Sequence, residues 1–203
     1  MPVGIDSLMA NLSEIIANQE NQLTSFTRAL IRDLTQELHE ITDKIEKYND
    51  RVKLIHDFNP VAKQLTTIPG VGPLAATAML AIAADPNSFK NGRQFAAFIG
   101  LVPRQNSSGG KQQLLGISKR GDKYIRTMLI HGARVIVGHA TKRKLKDVPW
   151  RRVEWIKDLK NRRGFNKAAV AMANKNARIA WAILAKGGYY DPSLAKPKRP
   201  KAA

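Results

Sequence analysis

From Ile31 onward the apolar residues step along the chain by three and four: Ile31, Leu34, Leu38, Ile41, Ile45, Tyr48, Val52, Ile55. A repeat averaging 3.5 residues keeps one narrow stripe of an α-helix apolar for roughly four heptads, which is a coiled-coil pattern. The stretch therefore predicts one unbroken helix from about Leu23 to Ile55 whose stripe needs a partner. A second copy of the chain would satisfy it, giving a homo-oligomer through residues 31–55, and so would a helical hairpin within the chain. A long amphipathic helix packed on its own domain is the plainer alternative. Ahead of it, Ile5, Leu8, Met9, Leu12, Ile15 and Ile16 share one face of a shorter helix. The polar run Asn18-Gln19-Glu20-Asn21-Gln22 interrupts the two.

Pro60 marks the end of this region. Beyond it the spacing predicts short helices over about 60–67, 73–84, 92–99, 122–140, 149–161 and 166–185, punctuated by Gly and Pro. Between Gly100 and Gly121 the pattern changes: Leu101-Val102-Pro103 and Gln113-Leu114-Leu115-Gly116-Ile117 read as short extended pieces around a Ser/Gly loop. The chain thus divides into a helical, coiled-coil linker region (1–59), a compact domain (60–190) and a basic tail (191–203) expected to be disordered. No apolar run approaches the roughly 20 residues of a membrane helix, so no membrane partner is expected. Asp6 and the lack of basic residues before it argue against a signal peptide. Cysteine is absent, which excludes disulfides and thiol chemistry and fits a reducing cytoplasm.

Charge is unevenly placed. Residues 1–60 hold 6 Lys/Arg against 10 Asp/Glu, a net of −4. Residues 61–203 hold 28 against 6, a net of +22. So strong a field of one sign favours polyanions, because neutralised phosphates release counterions. DNA is the expected partner.

Two motifs give that charge a geometry. The first is Leu65-Thr66-Thr67-Ile68-Pro69-Gly70-Val71-Gly72-Pro73-Leu74, lying between two predicted helices. Gly70 and Gly72 allow positive φ and close backbone approach, and Pro73 suits the first turn of the following helix. The amides at that helix N-terminus then form an anion site, with Ile68 and Val71 tucked inward. The turn resembles the hydrophobic-x-Gly-hydrophobic-Gly corner of helix-hairpin-helix modules, and Gly70, Val71 and Gly72 become candidate phosphate contacts. A tight corner without a ligand is the alternative. The fold class is accordingly mainly α: a helical coiled-coil arm, then a compact helical domain with a helix-hairpin-helix turn and a small β element.

The second motif runs from Arg104 to Arg126. Ser107 and Ser108 precede Gly109 and Gly110, with Arg104 and Lys111 on either side. Asp122 can cap the next helix, and Lys119, Arg120, Lys123 and Arg126 cluster at its start. A serine hydroxyl is a weak nucleophile unless a neighbour takes its proton or stabilises developing charge, and cations beside a phosphate provide the second effect. A non-catalytic phosphate-contact loop fits the same residues, since no Ser–His–Asp set accompanies the serines. His131 and His139 stand eight apart on one helix, which is not a metal-pair spacing.

Taken in order, Ile68-Pro69-Gly70-Val71-Gly72-Pro73, Phe95 to Gln105, Ser107-Ser108-Gly109-Gly110-Lys111 and Ile117 to Arg126 resemble one known family. It is the C-terminal domain of bacterial insertion-sequence transposases that pair a DEDD nuclease-like domain with a catalytic serine, the bridge-RNA-guided recombinases. The match spans about residues 20–188. The resemblance implies that the serine directly before glycine, Ser108, with Ser107 as the alternate, attacks a DNA phosphodiester and forms a transient phosphoserine link. Arg104, Lys111, Lys119 and Arg126 would neutralise the phosphates. Lys167, Lys175 and Arg178 on the last helix would add contacts to DNA, and the resemblance admits a guide RNA there. The same helix would pack through Phe165, Ala169, Met172, Ala180, Trp181 and Leu184.

The family's RuvC-like N-terminal domain has no counterpart in these residues. Its metal, Mg²⁺, is therefore expected only with that domain, and no cofactor is expected on this chain. The acidic residues of 1–60 flank the heptad stripe instead of clustering as a carboxylate site. Catalysis by the chain unaided is not expected. Two other classes compete: a non-enzymatic helix-hairpin-helix DNA-binding protein, and, from charge alone, an RNA-binding factor.

Overall fold

The computed structural model describes residues 5–83, 85–108, 111, 113–140, 148 and 150–194. Among the described residues, eight α-helices, two short 3₁₀ turns and one two-stranded antiparallel sheet make up the regular structure, so the molecule is mainly α, as the sequence predicts. The chain forms two compact units, Met1–Arg51 and Val52–Ala203.

The first unit contains α1 (Ile5–Ala17) and most of α2 (Ser25–Phe58). The link between them is organised by Arg28, whose guanidinium donates to the Ile16 carbonyl at 2.6 Å and to Asn21. No residue of α2 is buried. The stripe residues Leu34, Ile41 and Ile45 are 45–56% exposed, and Tyr48 and Ile55 are exposed too.

The second unit takes the last turns of α2 and adds α3 (Pro60–Thr66), α4 (Pro73–Ile82) and α5 (Gly92–Phe98). After the strands β1 (Pro103–Gln105) and β2 (Leu114–Ile117) come α6 (Lys123–Ala140), α7 (Trp150–Arg163) and α8 (Phe165–Lys186). Local chemistry sets the boundaries. Asn59 caps α3 through bonds from the Val61 and Ala62 amides, and Asn91 caps α5 in the same way. Asp122 accepts from the Ile125 amide at 2.7 Å and starts α6, as expected. Gly164 and Gly187, both with positive φ, bracket α8.

Helix α8 is the centre of this unit, packing against α3, α5, α6 and α7. Its buried face is nearly all small: Ala168, Ala169, Ala173, Ala177 and Ala180, with Met172, Asn176 and Ile183. Small side chains let several helices approach one axis closely, and the volume is filled from opposite by Leu65, Ile68, Met79, Phe95, Leu129, Val137 and Ile156. Each large side chain so buried contributes about 1.5–3 kcal/mol relative to exposure. The expected packing residues of α8 behave accordingly: Ala169, Met172 and Ala180 are buried, and Phe165, Trp181 and Leu184 are partly buried against the core.

Of the predicted tail, residues 195–203 lie outside the described residues, as do Gly109 and Gly110. Pro192–Leu194 forms a single 3₁₀ turn.

Candidate nucleic-acid interface

The glycine turn joins α3 to α4. Ile68 and Val71 are buried beneath it, at 0% and 5% exposure, and the Val71 amide donates to the Ile68 carbonyl at 2.9 Å. Gly70 adopts φ +83°, and a Cβ there would stand 2.8 Å from the Gly132 carbonyl oxygen. Gly72 departs from the sequence expectation. Its φ is −92° with open space around the Cβ position, so neither positive φ nor close approach requires glycine there. It is the N-cap residue of α4, and it has no side chain to bond the first amides. Gly72, Pro73 and Leu74 are exposed, so this helix end presents uncapped N–H groups outward. Val71 contributes rigidity in place of a contact, because its side chain is buried and its amide is committed to the turn.

The serine segment is a β-hairpin. Pro103 pairs with Ile117 and Gln105 with Leu114, with an irregularity between them. The Asn106 amide donates to the Gln113 carbonyl at 2.9 Å, and Lys111 N–H donates to the Ser108 carbonyl at 3.0 Å. Both serines are exposed near the tip. The Ser107 hydroxyl accepts from the Gln113 amide at 3.3 Å, whereas the Ser108 hydroxyl has no hydrogen-bond partner among the described residues.

The base of the hairpin is held by backbone packing. Ser118 N–H donates to Val102 and Lys119 N–H to Gly100. Gly100 and Gly121 both have positive φ, and a Cβ on either would overlap a backbone oxygen, of Arg120 at 2.0 Å and of Phe98 at 1.7 Å. Lys119 is the one non-glycine among the described residues with positive φ, at 55°, a conformation that L-residues adopt rarely. This kink separates the hairpin from α6 and turns Lys119, Arg120 and Lys123 outward, all exposed. Arg104 on β1 and Lys111 near the tip are exposed as well.

Arg126 is placed differently from the expectation that it meets a phosphate. It is 8% exposed, and its Nη1 lies 3.0–3.4 Å from the carbonyl oxygens of Ile99, Arg120, Gly121 and Asp122. One end of a helix and the start of another leave several carbonyls converging, and a guanidinium satisfies them from inside. On α8, Lys167 and Arg178 are exposed, while Lys175 is half-buried with its ammonium 4.8 Å from the Trp155 ring.

Three positioning residues carried little sequence signal. Asn174 on α8 donates to the Leu101 carbonyl at the hairpin base, at 3.1 Å. Asn176, fully buried, donates to the Pro69 carbonyl in the glycine turn at 2.9 Å. Two residues of one helix therefore tie both motifs to the same support. Gly132 is the third. A glycine inside a helix costs about 1 kcal/mol against alanine, which hints at a packing reason without naming the neighbour.

The hairpin carries an exposed hydroxyl and exposed cations, the glycine turn carries an uncapped helix end, and each motif is tied to α8. No His, Asp or Glu is hydrogen-bonded to either serine among the described residues. Nor do three or more His, Cys, Asp or Glu side chains converge among them.

Comparison with known proteins bears on the same segment. Residues 62–148 match the family described as Transposase IS116/IS110/IS902. The chain is 41% identical over 93% of its length to a probable family 20 transposase of Pseudomonas aeruginosa, covering 54% of that protein. It is 40% identical over 94% of its length to the transposase for insertion sequence element IS1111A of Coxiella burnetii, covering 51%. Over 39% of its length it is 34% identical to the pilin gene-inverting protein of Moraxella lacunata, covering 25%. The chain spans about half the length of the first two relatives.

Proposed function

Starting from a chain that carries a Transposase IS116/IS110/IS902 family domain at residues 62–148 and has insertion-sequence transposases as homologues, we propose that it handles DNA in transposition and supplies the serine nucleophile. Ser108 is that nucleophile. The observation that carries the assignment is an exposed hydroxyl at a hairpin tip, without a hydrogen-bond partner among the described residues and beside a hydroxyl already bonded to Gln113. Ser108 Oγ attacks phosphorus, losing its proton to solvent or a neighbouring base. The bond from phosphorus to one ribose oxygen breaks, and that oxygen takes up a proton. The resulting phosphoserine diester keeps the bond energy, so a hydroxyl of another strand reverses the step and joins to it. Arg104, Lys111, Lys119, Arg120 and Lys123 neutralise the phosphates, and the α4 N-terminus grips the backbone in helix-hairpin-helix fashion.

Residues 60–190 form the DNA-handling domain in this reading, and α2 joins copies of the chain. The exposed stripe residues Leu34, Ile41, Ile45, Tyr48 and Ile55 support a homo-oligomer, because apolar residues at that repeat bury each other in a coiled coil. A guide RNA would meet the same basic surface, including Lys167 on α8. No helix among the described residues is long and apolar enough to cross a membrane, and DNA in the bacterial cytoplasm is the proposed setting.

The test is to trap covalent protein–DNA adducts on a suitable target with the chain and with Ser108→Ala. Adduct lost in the variant supports the assignment; equal adduct in both removes Ser108 from it. Tight, salt-sensitive binding with no adduct in either would favour the second reading, a backbone-gripping binder built on the uncapped helix end of α4.

A further inference from the structure

Away from the hairpin, α7, the C-terminal half of α8, the start of α5 and the segment after α8 line an open cavity of about 820 Å³. Five cations line it: Arg93, Arg152, Lys175, Arg178 and Lys186. Arg152 is 3% exposed, yet neither its Nε nor its Nη1 has a hydrogen-bond partner among the described residues. Its guanidinium lies 4.9 Å from the ring of Tyr190, whose own buried hydroxyl is also unpartnered. Burial and the charges of Arg152 and Arg178 depress the affinity of Lys175 for its proton. The carboxylate on the wall, Asp191, is fully exposed and accepts from the Ser193 amide.

Such a cluster is costly by itself. A guanidinium does not lose its proton in proteins, so Arg152 cannot relieve burial by neutralising. Taking an ion out of water costs several kcal/mol unless opposite charge and hydrogen bonds compensate, and π faces alone do so only partly. Repulsion among three neighbouring cations adds to the cost. An anion seated in the cavity would satisfy the free guanidinium nitrogens and cancel the repulsion together.

We propose that this cavity is a second nucleic-acid site, which seats a backbone phosphate of a single strand on Arg152, Lys175 and Arg178 while an adjacent base stacks on Tyr189. Tyr189 stands at the rim, 70% exposed. An exposed aromatic ring beside a basic recess is how single strands are held without reading sequence, since every base offers a face to stack on. Duplex DNA keeps its bases paired and cannot use that ring. The site is independent of the serine: it would hold a strand even if Ser108 had no role.

The experiment uses the whole chain, Arg152→Met and Arg178→Gln. Thermal melting is followed in inorganic phosphate against chloride at equal ionic strength. Binding of a labelled single-stranded oligothymidylate is followed by anisotropy, beside a duplex of equal length. The expected result is phosphate stabilisation of the parent chain that Arg152→Met abolishes. Single-strand affinity should fall at least about tenfold in Arg152→Met and severalfold in Arg178→Gln, as loss of hydrogen bonds from a charged donor predicts. Duplex affinity should change far less. Because Arg178 is exposed, its variant reports even if Arg152→Met fails to fold. Phosphate stabilisation surviving in Arg152→Met, or equal losses for duplex and single strand, would overturn the proposal.

Discussion

Gly70 and Gly132 meet backbone to backbone: a Cβ built on Gly132 would lie 1.8 Å from the Gly70 carbonyl oxygen, and one on Gly70 would lie 2.8 Å from that of Gly132. The turn before α4 is thereby seated against the middle of α6. The same helix begins at the base of the serine hairpin, so the two motifs share a support. The uncapped end of α4 owes its orientation to this contact, because neither glycine can be replaced without moving the turn.

Gly132→Ala should therefore destabilise the chain by at least about 1–3 kcal/mol, the usual range for overpacking a filled interior. Gly70→Ala should be similar, since it adds strain at φ +83° to the overlap. Gly72→Ala, with open space and φ −92°, should stay within about 1 kcal/mol of the parent. Urea denaturation of the three variants orders them; a Gly72 variant as damaged as Gly132→Ala would contradict the geometry.

Arg126 and Arg104 should separate cleanly. Arg126→Met leaves buried carbonyls without their donor, at a cost of roughly 1.5–3 kcal/mol, and should leave the salt dependence of DNA binding unchanged where the chain is folded. Arg104→Gln should hardly alter stability, while lowering the slope of log affinity against log salt by about 1. Binding titrations across a salt series decide this. A reduced slope in Arg126→Met would return that residue to the interface.

Lys175 predicts a dependence on pH. Its proton affinity is depressed in the folded chain, by burial first and then by Arg152 and Arg178. Below the folded pKa, both states carry the proton and the full cost of the buried charge opposes folding. Between the folded and unfolded values the unfolded chain holds more protons, so this opposition fades as pH rises. Lys175→Met should thus be stabilising at neutral pH, with the advantage shrinking toward the ordinary lysine range. Denaturation midpoints of both proteins from neutral to alkaline pH test it; a constant difference would show that Lys175 is not the titrating group.

Ile45→Asp should weaken self-association if the stripe on α2 joins copies of the chain. Ile45 is 55% exposed, so the change should spare the fold of a single chain. Sedimentation is the check. An unchanged oligomer would place the contact elsewhere, and a parent chain that is monomeric at every concentration would end the idea.

Helix positions and caps were legible because they depend on neighbours in sequence. The heptad of 31–55, the cap at Asp122 and the extended pieces on either side of the serines all follow from local periodicity and turn chemistry. Arg126 shows where that reasoning stops. Its position among Lys119, Arg120 and Lys123 marks it as one more surface cation, and only the meeting of α5 with the start of α6 turns it inward toward four carbonyls.

By itself the order of residues determined a mainly helical chain with a basic second part, a glycine turn and a serine loop, since propensity, capping and charge act over a few residues. Tertiary structure alone decided that Gly132 seats that turn, that Asn174 and Asn176 tether both motifs to one helix, and that Arg152 is buried without a partner among the described residues for its Nε and Nη1. Those outcomes join positions up to 107 residues apart. They arise from close packing and the desolvation of polar groups, which no local pattern encodes.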